Sequence, residues 1–374
     1  MHLVFVFTFD YELLTWDNSG QISRELLYFN ELKSQVFKKI TIVTYGDNND
    51  LKYLSKFKNI EILPIYTLTK KPNNKILRYL KSFYYPFLIK KNIKFGSNVV
   101  IRQHQLNGSW VSIILKFITR SKLVIRTGYD MYSFSIYSKK NIVIRFLYFM
   151  LTQFALFFSN VYTVTSETDR IFLEKKFFTR KKIFFIPNWA NIINIRRDEK
   201  RIDNTIVSIG RIEEQKNLFY LIDLIEHSNF KLMHIGDGSL RKSLEEYARF
   251  KKVNLQIIRY VENSEVYEVL RKHLFFISTS HYEGNSKTIL EALGSGCVVF
   301  ASDIPNNKEL IKDGFNGFLI DISRKFDNQK IINLVSNKIF IKEIQNNAIN
   351  KINTDYSLSK IIELEKRLIK EFFS

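Results

Sequence analysis

Short apolar runs rich in β-branched and aromatic residues recur along this chain. Each is closed by a polar or glycine-bearing turn before an apolar pattern of helical period begins. In the first half the runs are HLVFVFTFD (residues 2–10), KITIVTYG (39–46), NIEILPI (59–65), NVVIRQH (98–104), SKLVIRTGYD (121–130), the start of VYTVTSETDRIFLEKKF (161–177) and KIFFIPNW (182–189). The second half repeats the rhythm in TIVSIGRIEEQKNLFYLIDLI (205–225), KLMHIGDGSLRKSLEEYA (231–248), LQIIRYVENSEVYEVLRKH (255–273), LFFISTS (274–280) and CVVFAS (297–302). Strands that alternate with helices at this spacing pair in parallel, so the chain predicts an α/β architecture of doubly wound parallel sheets. A length of 374 residues exceeds a usual single core and predicts about two domains.

Local signals sharpen the pattern. Ser166 with Asp169 three positions on is close to a capping box and starts a helix. Gly20 precedes a helical pattern at Ile22, Leu26, Leu27, Phe29 and Leu32, and the segment between residues 11 and 20 reads as a loop. NIINIRRDEKRID (191–203) reads as an exposed linker, and SLSKIIELEKRLIKEFF (357–373) as a final helix. The very hydrophobic FLYFMLTQFALFFSN (146–160) is shorter than a membrane span; it reads first as a core helix, with contact at a membrane surface as the alternative. The apolar start meets Asp10 and Glu12 with no basic region before it, and reads as a strand rather than a leader peptide. The single cysteine, Cys297, cannot form an internal disulfide and lies in an apolar run. It points to a buried thiol and a reducing, cytoplasmic compartment.

Charge is placed unevenly. Of the formal +20, about +17 falls within residues 1–188. The excess includes KKPNNKILRYLKSFYYPFLIKKNIK (70–94), where lysines are interleaved with Tyr79, Phe83, Tyr84, Tyr85 and Phe87. Such a surface suits anionic lipid headgroups or nucleic acid. With no nucleic-acid motif in the chain, the expectation is peripheral contact with an anionic membrane surface and no nucleic acid; a merely solvated lysine-rich surface is the alternative.

The most informative stretch is HYEGNSKTILEALGSG (281–296). A buried strand leads into Glu283, Gly284, Asn285, Ser286, Lys287 and Thr288, and a helix pattern then starts at Ile289 and carries Glu291. Free N–H groups and the helix dipole point into such a loop, which makes it a ready anion site. Upstream, Gly210-Arg211 and Lys216 place two cations after another strand, and Gly236 and Gly238 mark a tight turn after the next.

With these residues in view, the segment resembles the donor-site motif of family 4-like retaining glycosyltransferases (glycosyl transferases group 1) of GT-B architecture. The resemblance is specific over residues 186–321 and diffuse elsewhere. It implies two Rossmann-like doubly wound domains facing a cleft: an acceptor-binding domain (1–188), a nucleotide-sugar-binding domain (189–355) and a C-terminal helix (356–374) crossing back to the first. It implies that Glu283 holds the donor sugar, Glu291 the ribose, and Arg211 and Lys216 the diphosphate, with Arg211 a planar fork and Lys216 a point charge. Gly210, Gly236, Gly238 and Gly284 would line the donor site. The amides near Asn285, Ser286 and Lys287, with Thr288, would complete the anion site, and Tyr260 and Val261 would approach the base.

On the acceptor side the chain departs from the family. Many relatives carry a histidine after the strand that here ends in Arg126 and Thr127, followed by Gly128, Tyr129 and Asp130. Gly128, Tyr129, Asp130, His104 and Gly20 are the acceptor-side candidates, Asp130 as a holder of an acceptor hydroxyl. The implied activity is metal-independent transfer of a sugar from a nucleotide-diphosphate donor to a glycan or lipid-linked acceptor, with no cofactor. The implied setting is bacterial surface polysaccharide or lipopolysaccharide assembly, in the cytoplasm or peripherally on the inner face of the plasma membrane. The alternatives are a nucleotide-sugar epimerase on the same fold and a non-enzymatic binder of anionic lipid or nucleic acid.

Overall fold

The computed structural model describes residues 1–374 except 58, 180–181, 192–200, 325–336 and 374. Most of the segment read as a linker (residues 192–200) therefore lies outside the described residues. The chain divides into two compact units, one formed by Met1–Ile186 together with Ile362–Ser374, the other by Pro187–Ile361.

The first unit holds seven parallel strands, β1 His2–Val6, β2 Lys39–Thr44, β3 Glu61–Pro64, β4 Val99–His104, β5 Lys122–Thr127, β6 Val161–Val164 and β7 Ile183–Phe185, in the order β3-β2-β1-β4-β5-β6-β7. The second holds β8 Ile202–Ile209, β9 Lys231–Ile235, β10 Leu255–Ile258, β11 His273–Ser278, β12 Val298–Ser302 and β13 Phe318–Ile320, in the order β10-β9-β8-β11-β12-β13. In each sheet the winding direction reverses beside the first strand. Loops leaving the strands at such a switch point diverge and open a crevice. In the second unit those are the loops after β8 and β11, which carry Arg211, Lys216 and Glu283.

Burial explains why these strands read as unbroken apolar runs. In β11, Phe275 and Ile277 pack into one core cluster with Ile206, Leu221 and Phe300. Phe276, between them, packs into a second cluster with Val207, Leu290 and Val299. Successive side chains point to opposite faces, and both faces are covered. Cys297 is buried in the second cluster, where its thiol donates to the Leu270 carbonyl at 3.1 Å and burial pushes its pKa up to about 11.

Two local readings change, and the basic-aromatic run takes a definite form. The segment after β1 is not all loop: Leu13–Asn18 is helical, and Gly20, at φ +67°, makes the turn into the helix Ile22–Gln35. The basic-aromatic run forms two helices, Lys75–Ser82 and Tyr85–Asn92, because Pro86 suits only a first helical turn and forces a restart. The hydrophobic segment near residue 150 is helix Ile142–Phe158, but it fully buries only Thr152, Ala155 and Leu156, so it is not a core helix.

The first unit also encloses a charged group of long sequence separation. Arg102 on β4 meets Glu365 of helix Leu358–Phe373 at 2.8 Å, both side chains 5% exposed or less, and Tyr28 donates to the same carboxylate oxygen at 2.8 Å. Burial alone would raise the Glu365 pKa, but Arg102 and Arg126 outweigh it and hold the carboxyl below its usual range.

Candidate active site

The site is built from three loops of the second unit, each leaving the carboxyl end of a strand. After β8 the chain turns through Gly210 (φ +150°), Arg211 and a short 3-10 turn, Glu214–Lys216. A Cβ on Gly210 would lie 2.9 Å from the Lys216 side chain, so the missing side chain gives the lysine its path. After β9, Gly236 (φ +141°) packs so tightly that a Cβ would fall 2.0 Å from the Gly210 carbonyl oxygen, and one on Gly238 would fall 2.3 Å from that of Ile212. The three glycines therefore bring two loop backbones into direct contact, which no larger residue permits.

Hydrogen bonds fix the loops to one another. Glu213 accepts from the Ser239 amide at 2.9 Å and hydroxyl at 2.7 Å, and these donors hold its carboxyl below the usual range. Thr279, just beyond β11, donates to the carbonyls of Lys216 and Asn217 at 3.0 Å each. Gln215 donates to the Tyr282 carbonyl at 2.8 Å, while its own carbonyl accepts the His281 amide at 2.9 Å.

This frame sets the Lys216 ammonium against the Glu283 carboxylate in an ion pair, and Ser280 donates to the same carboxylate oxygen at 2.7 Å. Arg211 is exposed at the rim. Beyond Glu283, the helix Lys287–Gly294 begins at Ser286, whose side chain does not cap the first turn. Asn285 is anchored by a reciprocal pair with Asn188: the Asn188 amide donates to its Oδ1 at 2.9 Å, and the Asn188 side chain donates to its carbonyl at 2.7 Å. Its Nδ2 is buried with no hydrogen-bond partner among the described residues, a donor that a ligand oxygen or a water would satisfy.

Glu291 is buried one helical turn further, and Asn263 donates to it at 3.0 Å. Asn263 opens the helix that follows β10, so the segment carrying exposed Tyr260 and partly buried Val261 adjoins Glu291. The structure thus brings the donor-side candidates together around the ends of β8, β9, β10 and β11.

His234 was not singled out in the sequence. It is the penultimate residue of β9 and buried, its Nε2–H donating to the Gly210 carbonyl at 2.9 Å, and burial lowers its pKa to about 4. An unfolded histidine titrates near 6.5. Between pH 6.5 and 4 the unfolded chain takes up a proton that the folded chain excludes, so stability falls as pH falls through that window. Glutamine can keep the donor without titrating. His234→Gln is therefore expected to remove about 2–3 kcal/mol of the stability loss between pH 7 and 4.5, read by urea denaturation at both values. His2, also lowered to about 4, adds a slope of the same sign, and Asp130, raised to about 6, one of opposite sign. Both are present in the two proteins, so the difference isolates His234, and an unchanged slope would place the proton uptake elsewhere.

The acceptor-side candidates fall in the first unit. His104 accepts or donates through Nδ1 to Thr8 at 3.2 Å and is ringed by Phe5, Phe7 and Trp16. The Gly128 amide donates to Gln105 at 2.9 Å, and its carbonyl accepts from Thr165 at 2.8 Å. Tyr129 stacks on Phe134 with ring centres 4.2 Å apart. Asp130 is buried and caps the helix Met131–Tyr137 through the Ser133 amide at 2.7 Å, with burial the main cause of its raised pKa. Gly20 makes the interhelical turn already described.

The two doubly wound parallel sheets, with the helices that cover them, have the GT-B architecture. Residues 192–351 match the family described as Glycosyl transferases group 1. The chain is 28% identical over 223 residues to the GalNAc-alpha-(1->4)-GalNAc-alpha-(1->3)-diNAcBac-PP-undecaprenol alpha-1,4-N-acetyl-D-galactosaminyltransferase of Campylobacter jejuni, covering 57% of this chain and 61% of that relative. It is 26% identical to the capsular polysaccharide biosynthesis glycosyltransferase CapH of Staphylococcus aureus, over 75% of this chain and 81% of the relative. Among solved structures it is similar to TarM of S. aureus (TM-score 0.76, 15% identity, 100% of this chain and 99% of the other). It is also similar to HepE of Anabaena in complex with UDP and glucose (TM-score 0.75, 15% identity, 99% and 100%).

Proposed function

We propose that this protein is a retaining, metal-independent glycosyltransferase that moves a sugar from a nucleotide-diphosphate donor to a hydroxyl of a glycan or lipid-linked acceptor. The observation that carries this reading is the Lys216–Glu283 ion pair beside the uncapped start of helix Lys287–Gly294. The acceptor oxygen bonds to the anomeric carbon as the bond from that carbon to the diphosphate breaks. Charge develops on the leaving phosphate, which Lys216, Arg211 and the first-turn amides of the helix stabilise. Glu283 holds a sugar hydroxyl and Glu291 a ribose hydroxyl, and the acceptor proton passes to the leaving phosphate.

The setting is bacterial surface polysaccharide assembly, in keeping with the capsule and undecaprenol-linked activities of the relatives. We place the acceptor at an anionic membrane surface on the inner face of the cell membrane. Since HepE was crystallised with UDP and glucose, uridine-linked sugars are the first donors to test.

A donor at about 100 times its Kd stabilises a folded unit by about 2.7 kcal/mol, or a rise in Tm on the order of 5–10 °C. One nucleotide sugar is expected to give that rise in the intact protein, and the rise should vanish in Glu283→Ala and Arg211→Ala. No response to any nucleotide sugar or free nucleotide would turn the reading toward a binding protein.

A further inference from the structure

The helix Lys75–Ser82 is inverted with respect to an ordinary surface helix. Its inward residues are mostly polar: Arg78 pairs with Asp10 at 3.3 Å and Ser82 accepts from the Trp110 indole at 2.8 Å, while the Tyr79 ring packs on Phe9 and Trp110. Its outward residues are apolar, with Ile76 70%, Leu80 63% and Phe83, just after it, 54% exposed. The neighbouring helix Tyr85–Asn92 continues the surface with Phe87. That helix packs on Ser109–Thr119, which exposes Phe117 and in turn packs on Ile142–Phe158. The last helix presents a stripe at helical spacing, Ile142, Val143, Phe146, Leu147, Phe154 and Phe157, all exposed. A soluble chain rarely leaves bulky apolar side chains contiguous over so many turns without a partner.

The charge around this surface selects the partner. From residue 62 to residue 166 the sequence holds sixteen lysines and arginines and one carboxylate, Asp130, which is buried. Apolar side chains that point outward amid cations, on helices too short to span a bilayer, match the chemistry of an anionic lipid interface: headgroup phosphates outside, acyl chains below. An acidic protein would satisfy the lysines but would not require Ile76, Leu80 and Phe83 to face away from their own core.

We propose that helix Lys75–Ser82, with Phe83 and Phe87, is a wedge that inserts into the headgroup region of an anionic bilayer, and that Ile142–Phe158 lies on the same bilayer beside it. The inference rests on the reading above of an acceptor held at a membrane surface and names the element that docks there. Insertion, unlike charge attraction alone, leaves a component of binding that salt does not screen.

The test is flotation of the full chain with vesicles of phosphatidylcholine containing about 30% phosphatidylglycerol, a composition chosen for its anionic surface. It is run at 0.1 M and 1 M NaCl, beside vesicles of phosphatidylcholine alone. The intact protein is expected to float with anionic vesicles at low salt and to keep a measurable fraction at high salt. The variant Ile76→Ser/Leu80→Ser/Phe83→Ser/Phe87→Ser, changed only at exposed positions, is expected to lose the salt-resistant fraction and to bind at least about tenfold more weakly at low salt. Equal binding by both proteins, no binding by either, or complete release of the intact protein at 1 M NaCl would overturn the wedge. So would a dimer of the intact protein in sedimentation that the variant dissolves, with no vesicle binding, since the surface would then cover a second copy. The donor-induced rise in Tm is read on the same two proteins. It should be equal in both, so a failed wedge and a failed glycosyltransferase reading give different results.

Discussion

Replacing Lys216 with alanine is expected to lower kcat/KM for sugar transfer by about two to three orders of magnitude, mainly through kcat. The lysine is held from four directions. Gly210 leaves room for its stem, Thr279 grips its carbonyl, the 3-10 turn sets its backbone, and Glu283 receives its ammonium. A cation fixed in this way is organised before the diphosphate begins to leave, so it stabilises developing charge without reorganisation. Removing one such group from other enzymes costs about 10²–10³ in rate. In the proposed reaction the negative charge grows on the leaving phosphate, so the loss should fall on the transition state more than on donor binding. Lys216→Arg should recover part of the rate, because the charge returns on a larger and planar head. Glu283→Gln should slow the reaction as well. The double variant should be less impaired than the product of the two single effects, since each group already constrains the other. Steady-state kinetics on the intact enzyme and these four variants decides the matter, and a Lys216→Ala enzyme within threefold of the intact one would remove the lysine from the mechanism.

The largest loss of stability is expected at Glu365. Glu365→Leu leaves Arg102 charged, almost wholly buried and without its carboxylate, and deprives the Tyr28 hydroxyl of its acceptor. Breaking one side of a buried pair costs about 3–5 kcal/mol, because the remaining charge keeps its desolvation penalty. The compensating variant Arg102→Met/Glu365→Leu should regain most of that loss, since replacing both partners by apolar groups of similar size is often neutral or better. Equilibrium denaturation of the full-length chain measures both. If the single variant lost less than about 1 kcal/mol, the pair would rank with surface ion pairs.

How far the sequence could be read depended on how local the information was. Strands buried on both faces and the glycines after β8 and β9 are marked by their own neighbours, so the doubly wound sheets and the donor-side loops were legible. Helix caps such as Ser166, which accepts the Asp169 amide at 3.1 Å, lie within one turn and were legible too. His234 was not, because its partner is a carbonyl in the loop after a different strand, and the reason it stays neutral is burial rather than any motif. Asn188 and Asn263 escaped notice for the same reason: each acquires its role from a residue 97 or 28 positions away. Hydrophobicity misled at residues 142–158, since composition reports how apolar a helix is and not which way it faces. Asp130 was read as a holder of an acceptor hydroxyl, and the sequence did not show that its carboxyl is buried and caps the helix Met131–Tyr137.

The place of Glu365 in the chain also has a consequence for synthesis. Residues up to Ile186 leave the ribosome early and carry all seven strands of the first unit, but the carboxylate that neutralises Arg102 follows only after the whole second unit has been translated. For most of the time of translation the nascent first unit must keep that arginine hydrated or its β4 surface open. Its final closure therefore waits until residue 365 has emerged, and a nascent chain stalled at residue 361 would present a chaperone with an N-terminal sheet that is paired but not yet sealed.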